Sequence, residues 1–235
     1  MFFVVANLDL VSLPSNDLPD SVFIEDSSVV IDDIAMLTHM GAVQRRPEVN
    51  TVSKYLKSIG GDLKVIHNMP LYATVDGGDV LFTGKEIFVG LSKRTNQDGV
   101  HFIRETFSNF DVHEIDMTQF DALHLKSACS MCFDASIMVG GEVGLYIKDI
   151  VEMKSTSSDA YNFFHVPDMV AANGLLVNDT LIRRHDEEFP ESRQAFEAVD
   201  AYVKSNSGSV VQIRADELAK VDGALTCCCL LLAIW

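Results

Sequence analysis

Five segments of the chain open on an acidic residue or a histidine and then run into apolar, strand-like sequence. They begin near Asp20, Asp76, His124, Asp168 and Asp222, at spacings of 56, 48, 44 and 54 residues. Each of the first four contains two β-rich runs separated by a short polar or glycine-bearing break, the signal of a hairpin. The breaks fall at 31–33, 83–86, 133–135 and 178–180. Helical candidates follow at 48–59, 97–107 and 191–203, where apolar residues recur at three- and four-residue steps. Pro190 stands at the first turn of the last of these. The helical pattern over 143–153 is weaker. Short strands are then expected at 63–67, 112–115, 163–166 and 210–213. The unit reads strand, strand, helix, strand, repeated at about 50 residues, a period expected of propeller-like assemblies. An α/β domain with evenly spaced units is the other reading of the same pattern.

The fifth repeat supplies a first strand over 225–235, where the sequence ends. Its second strand and helix would have to come from the N-terminus. Residues 1–14 suffice there for one or two strands and contain no amphipathic helix. The expectation is one α/β domain over residues 1–235, short at its N-terminus by roughly half a repeat.

Composition narrows the partners. With 18 basic and 34 acidic side chains the formal net charge is −16. That balance argues against nucleic acid or an anionic membrane surface as the main partner and suits a cationic ligand. The longest apolar run, 227–235, is about half of the roughly 18 residues that span a bilayer. Residues 1–6 lack a basic flank, so they make a poor secretory signal. Five cysteines in 235 residues do not make a disulfide framework. A soluble, cytoplasmic protein is expected.

Three of the cysteines, Cys227, Cys228 and Cys229, are adjacent. On a strand they would alternate faces, with Cys228 opposite the other two. Adjacent cysteines alone are weak support for a zinc site. Cys129 and Cys132 have redox-motif spacing without the usual strand-to-helix context. His124 opens a repeat as Asp20, Asp76 and Asp222 do. If the repeats surround a pseudo-symmetry axis, equivalent strand starts converge at one end of it. The segment 20–26, Asp76, His124 and the segment 222–227 would then form a cysteine–histidine–carboxylate constellation.

These residues carry a family resemblance. The strings 76–84 (DGGDVLFTG) and 89–97 (VGLSKRTNQ) closely resemble dimethylarginine dimethylaminohydrolase (dimethylargininase). So do 22–26 (VFIED), 123–127 (LHLKS), 166–168 (VPD) with 171–173 (AAN), and 221–227 (VDGALTC). The match runs in order over about 18–231. The family belongs to the guanidino-group-modifying (pentein) superfamily, so the resemblance implies a five-fold pseudo-symmetric α/β propeller. It implies Cys227 as nucleophile, His124 as general acid and base, and Asp76 as the carboxylate that orients the histidine. Asp20, Glu25 and Asp26 match the acids that hold the guanidinium and main-chain amine of the substrate. Arg45 and Arg94 match the arginines that grip its carboxylate, and Val221 and Asp222 match backbone contacts to it. The implied reaction converts dimethyl- or monomethyl-arginine to citrulline and dimethylamine or methylamine through a covalent thiouronium, relieving inhibition of nitric oxide synthesis. No cofactor is implied, although Cys227 and His124 could accept an inhibitory zinc ion.

Where the family usually has serine two positions after the nucleophile, this chain has Cys229. Two other readings stay open: an arginine deiminase or amidinotransferase, and a silent relative that binds a ligand or partner without turnover.

Overall fold

Every hairpin turns on a residue with left-handed backbone: Asp32 (φ 51°), Gly84 (83°), Ala135 (46°) and Asn178 (50°). Tight connections between antiparallel strands need such a residue, because its twist matches that of the strands it joins. The computed structural model describes residues 9–14 and 18–232. In it the first hairpin pairs β1 (Ser28–Ile31) with β2 (Ile34–Leu37), and a third strand, β3 (Lys64–Ile66), lies parallel to β2. The pattern recurs with β4 (Val80–Phe82), β5 (Ile87–Leu91) and β6 (Val112–Asp116). It recurs again with β7 (Cys129–Phe133), β8 (Ser136–Gly140) and β9 (Asn162–Val166). The fourth sheet is β10 (Leu175–Val177), β11 (Thr180–Arg184) and β12 (Ser209–Ile213). All four repeats expected from the hairpin signals are present, with one antiparallel and one parallel pairing in each.

The parallel pairing requires a crossover, and a helix supplies it each time. These are α1 (Val49–Ile59), α2 (Gln97–Thr106), α3 (Gly141–Lys154) and α4 (Arg193–Ser205). Each buries one stripe at helical spacing, such as Val100 and Ile103 in α2, and Phe196, Val199 and Val203 in α4. Asn96 caps α2 by accepting from the Gly99 N–H at 2.9 Å. The helix with the weakest sequence pattern, α3, is 14 residues long. Its packing depends on Gly144, where a Cβ would come within 2.7 Å of the Val139 backbone. Periodicity of large apolar residues cannot register a contact made by a missing side chain.

The chain folds as two compact units, one holding Ser12–Leu125 with the segment from Cys227, the other built on Lys126–Thr226. In the first, Met36, Val75, Ile87, Val89, Ile103 and Phe107 form a core under the first two sheets. In the second, Cys132, Met138, Leu181, Phe196, Val199 and Val203 do the same. Full burial of one such side chain contributes about 1.5–3 kcal/mol.

The strand expected over 225–235 does not form among the described residues. Thr226–Cys228 is instead a single 3₁₀ turn, and residues 229–232 carry no strand. A strand needs a neighbouring backbone to take its N–H and C=O groups. Here the apolar run is partly buried by side-chain packing instead, with Leu230 and Leu232 against Ala35, Leu37, Val52 and Leu56 and Leu231 left exposed. The alternation of faces argued for Cys227–Cys229 therefore does not apply. Of the N-terminal strands expected in 1–14, residues 1–8 lie outside the described residues, and 9–14 carry no strand.

Candidate active site

Asp26 lies on the 3₁₀ turn Ile24–Ser27 that leads into β1. Its backbone carbonyl accepts the Thr38 hydroxyl at 2.6 Å, fixing the turn to the end of the hairpin. The carboxylate accepts Arg45 Nη1 at 2.7 Å and the Gly78 N–H at 3.0 Å, and His124 Nε2 lies 3.8 Å away. Arg45 sits in the 3₁₀ segment Val43–Glu48 and also donates to Glu48 at 2.9 Å and to the Phe23 carbonyl at 2.9 Å. Burial works to raise the Asp26 carboxyl, but His124, Arg45 and the Gly78 N–H override it and hold it below the usual range. Burial likewise opposes the Arg45 charge, and Glu48 and Asp26 more than restore it. Glu48 itself is pushed up by burial.

Asp76 is fully buried, one residue before the 3₁₀ turn Gly77–Asp79. One carboxylate oxygen accepts the Gly41 N–H at 2.8 Å and the other bonds His124 Nε2 at 3.0 Å. Its own N–H donates to Thr95 Oγ1 at 3.1 Å. Burial alone would depress the His124 imidazole. The bond to Asp76 and the charges of Asp26 and Asp79 override it and raise the group to about 9. At neutral pH His124 is therefore an imidazolium with a proton to give. The two glycines of the motif make this approach possible. A Cβ on Gly78 would stand 2.7 Å from His124 Nδ1, and one on Gly77 would stand 2.1 Å from the Glu25 carbonyl oxygen.

Other expected site residues are placed as follows. Arg94 is half-buried in the loop after β5, and its guanidinium makes no ion pair among the described residues. Glu25 is buried beside Asp26, and Asp20 is exposed in the preceding turn. Cys227 is half-buried at the centre of the Thr226–Cys228 turn and belongs to the same compact unit as His124 and Asp76. None of the five cysteines is in a disulfide. Burial and then Glu25 push the Cys228 thiol up, and burial, Cys228 and Glu25 push Cys229 to about 11. Val221 and Asp222 form an exposed turn in the Lys126–Thr226 unit, with Asp222 at φ 57°. In that unit the buried Asn173 amide accepts from the Thr226 N–H at 3.1 Å and donates to its hydroxyl at 3.0 Å. It also donates to the Lys126 carbonyl at 2.9 Å.

The structure thus brings Asp26, Asp76 and His124 together, with ligand atoms within 4.8 Å of one another, a set that could also hold a cation. Glu48, Asp79, Thr95 and Asn173 were not singled out from the sequence. The motifs 76–84, 89–97 and 171–173 contained three of them, as polar residues with no periodicity to explain them.

The arginine deiminase family model matches residues 6–234. DDAH2 of Bos taurus is 32% identical over 234 residues, covering 96% of this chain and 78% of that protein. An N(G),N(G)-dimethylarginine dimethylaminohydrolase of Streptomyces coelicolor is 36% identical over 125 residues, 53% of this chain and 47% of that protein. Among solved structures, a dimethylarginine dimethylaminohydrolase adduct with S-methyl-L-thiocitrulline superposes with a TM-score of 0.79 at 21% identity, covering 96% of this chain and 82% of that one. DDAH from Pseudomonas aeruginosa, as a cysteine-to-serine mutant complexed with citrulline, gives 0.72 at 22% identity, covering 89% and 75%. Those superpositions establish a shared α/β fold, and the sequence matches extend along nearly the whole chain. With its histidine–carboxylate site set in that fold, the chain belongs to the dimethylarginine dimethylaminohydrolase family, among the arginine deiminase relatives.

Proposed function

We propose that this chain is a cytoplasmic hydrolase of Nω-methylated arginines, releasing citrulline and a methylamine. The observation that carries the reading is His124, buried and bonded to Asp76 at 3.0 Å, in a member of this family. A planar, donor-rich guanidinium finds its natural receptor among Asp20, Glu25 and Asp26. Arg94, free of ion pairs among the described residues, is suited to the substrate carboxylate. Arg45 was expected in the same role, and its ion pairs with Asp26 and Glu48 make its contribution to the charge of Asp26 as well. Val221 and Asp222 would add backbone contacts.

The Cys227 thiolate attacks the guanidino carbon, and the bond from that carbon to the methylated nitrogen breaks. The departing amine takes its proton from the His124 imidazolium. The neutral imidazole then takes a proton from water as that water attacks the thiouronium carbon. The C–S bond breaks as the new hydroxyl gives its proton to solvent, where the freed amine takes it up as an ammonium, and neutral citrulline leaves with thiolate and imidazolium restored. Substrate and one water are consumed, and no cofactor is needed. Removing methylated arginines would relieve inhibition of nitric oxide synthesis.

Citrulline release from dimethyl-, monomethyl- and unmethylated arginine, each with the chain and with Cys227→Ser, tests the proposal. We expect turnover of the methylated substrates, slower turnover of arginine by about 100-fold, and none with Cys227→Ser. Faster turnover of arginine would make the chain a deiminase. Tight binding with no turnover would make it a silent relative.

A further inference from the structure

One fully buried carboxylate, Asp79, acts on the chemistry above only through the field it adds at His124, yet it is bonded to three places that each lead to a site residue. Its Oδ1 accepts the Leu125 N–H at 2.9 Å, and Leu125 directly follows His124. Its Oδ2 accepts the Thr95 hydroxyl at 2.7 Å, and that same oxygen of Thr95 receives the Asp76 N–H. Oδ2 also accepts the Ser92 hydroxyl at 2.6 Å, and Ser92 Oγ in turn accepts the N–H groups of Arg94 and Thr95 at 2.9 and 3.2 Å. The backbone of Arg94 abuts Gly41, where a Cβ would stand 2.4 Å from the Arg94 carbonyl oxygen, and the Gly41 N–H is the one that binds Asp76.

We propose that Asp79 is a positioning residue that sets His124, Asp76 and Arg94 in fixed relation by binding Leu125, Thr95 and Ser92 together. This rests on the reading of those three as the working site. All three partners arrive as donors, so the hub must be acceptor-only, and among side chains only a carboxylate is. An amide would turn its NH₂ toward one of the donors. Glycine at position 90 makes room for the arrangement, since a Cβ there would stand 3.0 Å from Asp79 Oδ1 and 2.9 Å from Leu125 Cβ. A group kept only for stability would be a poor choice here. Burial pushes the Asp79 carboxyl up to about 6 against the lowering influence of His124, Ser92, Thr95 and the Leu125 N–H. Holding it ionised at neutral pH therefore opposes folding.

The test is Asp79→Asn, read by melting temperature, by backbone amide exchange at Leu125, Arg94 and Thr95, and by kcat and KM for dimethylarginine. Positioning predicts exchange at those three amides faster by about tenfold or more and kcat per folded molecule lower by about 100-fold, with the melting temperature showing how much of the chain is folded. Unchanged exchange at all three would overturn the proposal, as would faster exchange with kcat unchanged. If the parent chain turns over no dimethylarginine, the functional reading fails, and the exchange measurement alone decides the role of Asp79. Should Asp79→Asn not fold, Thr95→Val removes the link between Asp79 and Asp76, and Thr95→Ser keeps it. Loss of kcat in the first, restored in the second, supports the proposal. Loss in both would overturn it.

Discussion

Two clusters of buried charge, one in each compact unit, differ in what their protons do. In the Lys126–Thr226 unit, Arg183 on β11 donates to Asp200 of α4 at 2.8 and 2.9 Å and to Asp186 at 2.7 Å. Its guanidinium lies 4.2 Å from the Phe196 ring centroid. Arg184 pairs with Glu188 at 2.7 Å beside Phe189. There burial opposes each charge and the partner wins, so Arg183 is held up and Glu188 held down. In the other unit the pair of Arg45 with Asp26 behaves the same way, but burial wins at Glu48, burial lifts Asp79 to about 6 and the carboxylates lift His124 to about 9. Buried charge alone marks only packing. A histidine and a carboxyl both displaced upward in one cluster, to about 9 and about 6, mark chemistry.

The strongest way to break that contrast is to remove one cation from each cluster. His124→Gln should lower kcat/KM by about 10²–10⁴-fold, the range for losing a positioned acid–base group. Arg183→Met should instead cost about 2–4 kcal/mol of stability, because it leaves two acids facing an empty site, although both keep some contact with water. Urea unfolding and turnover per folded molecule read the two effects separately. If Arg183→Met lost as much turnover per folded molecule as His124→Gln, the two clusters would not differ in kind.

A pH series sharpens the contrast. The folded His124 group stands near 9 against 6.5 for an ordinary histidine, so the native state holds the proton more tightly. The stability this contributes, about 3 kcal/mol, is fully present below pH 6.5 and is lost as pH rises through about 9. The same loss of the proton should give kcat/KM an alkaline limb near pH 9. Asp76→Asn removes the bond and the charge that raise the imidazole, so the limb should move toward neutral pH. In the arginine cluster Arg183 is held up and Glu188 held down, so neither titrates over that interval. Subtracting the pH dependence of His124→Gln from that of the parent chain isolates the histidine, and a difference that stays flat from pH 6 to 10 would contradict the assignment.

Hairpins and helices were legible in the sequence because turn chemistry and a three- to four-residue apolar period are local properties. The meeting of Asp76 with His124 was legible only through the repeat, which places two strand starts 48 residues apart in equivalent positions. What the repeat could not show was where a charge finds its partner. Arg45 reaches Asp26, 19 residues earlier, and Glu48, three residues later in a 3₁₀ segment. No periodicity connects those three. Asp79 was hidden for a similar reason, since its partners Ser92, Thr95 and Leu125 lie on two separate loops. The expected final strand failed because an apolar run of that length fits a strand or a packed irregular segment equally well.

That failure bears on the smallest expected effect, which concerns the three adjacent thiols. With no strand over 226–232, alternation of faces cannot separate Cys227 from Cys228 and Cys229, and electrostatics must do so. Cys228 is raised by burial and by Glu25. Cys229 is raised by burial, Cys228 and Glu25 to about 11, so at pH 7 only about one molecule in 10⁴ carries that thiolate. A thiol so rarely ionised is a poor nucleophile, and Glu25, the acid proposed to hold a substrate guanidinium, works against it. Cys228→Ser and Cys229→Ser should each leave kcat/KM within about twofold, a serine in either place replacing a half-buried thiol at a cost under about 1 kcal/mol. Mapping the adduct of an amidine electrophile on each variant completes the measurement. Modification should fall on Cys227 in the parent chain and in both variants, and an adduct on Cys228 or Cys229 with Cys227 unmodified would move the nucleophile.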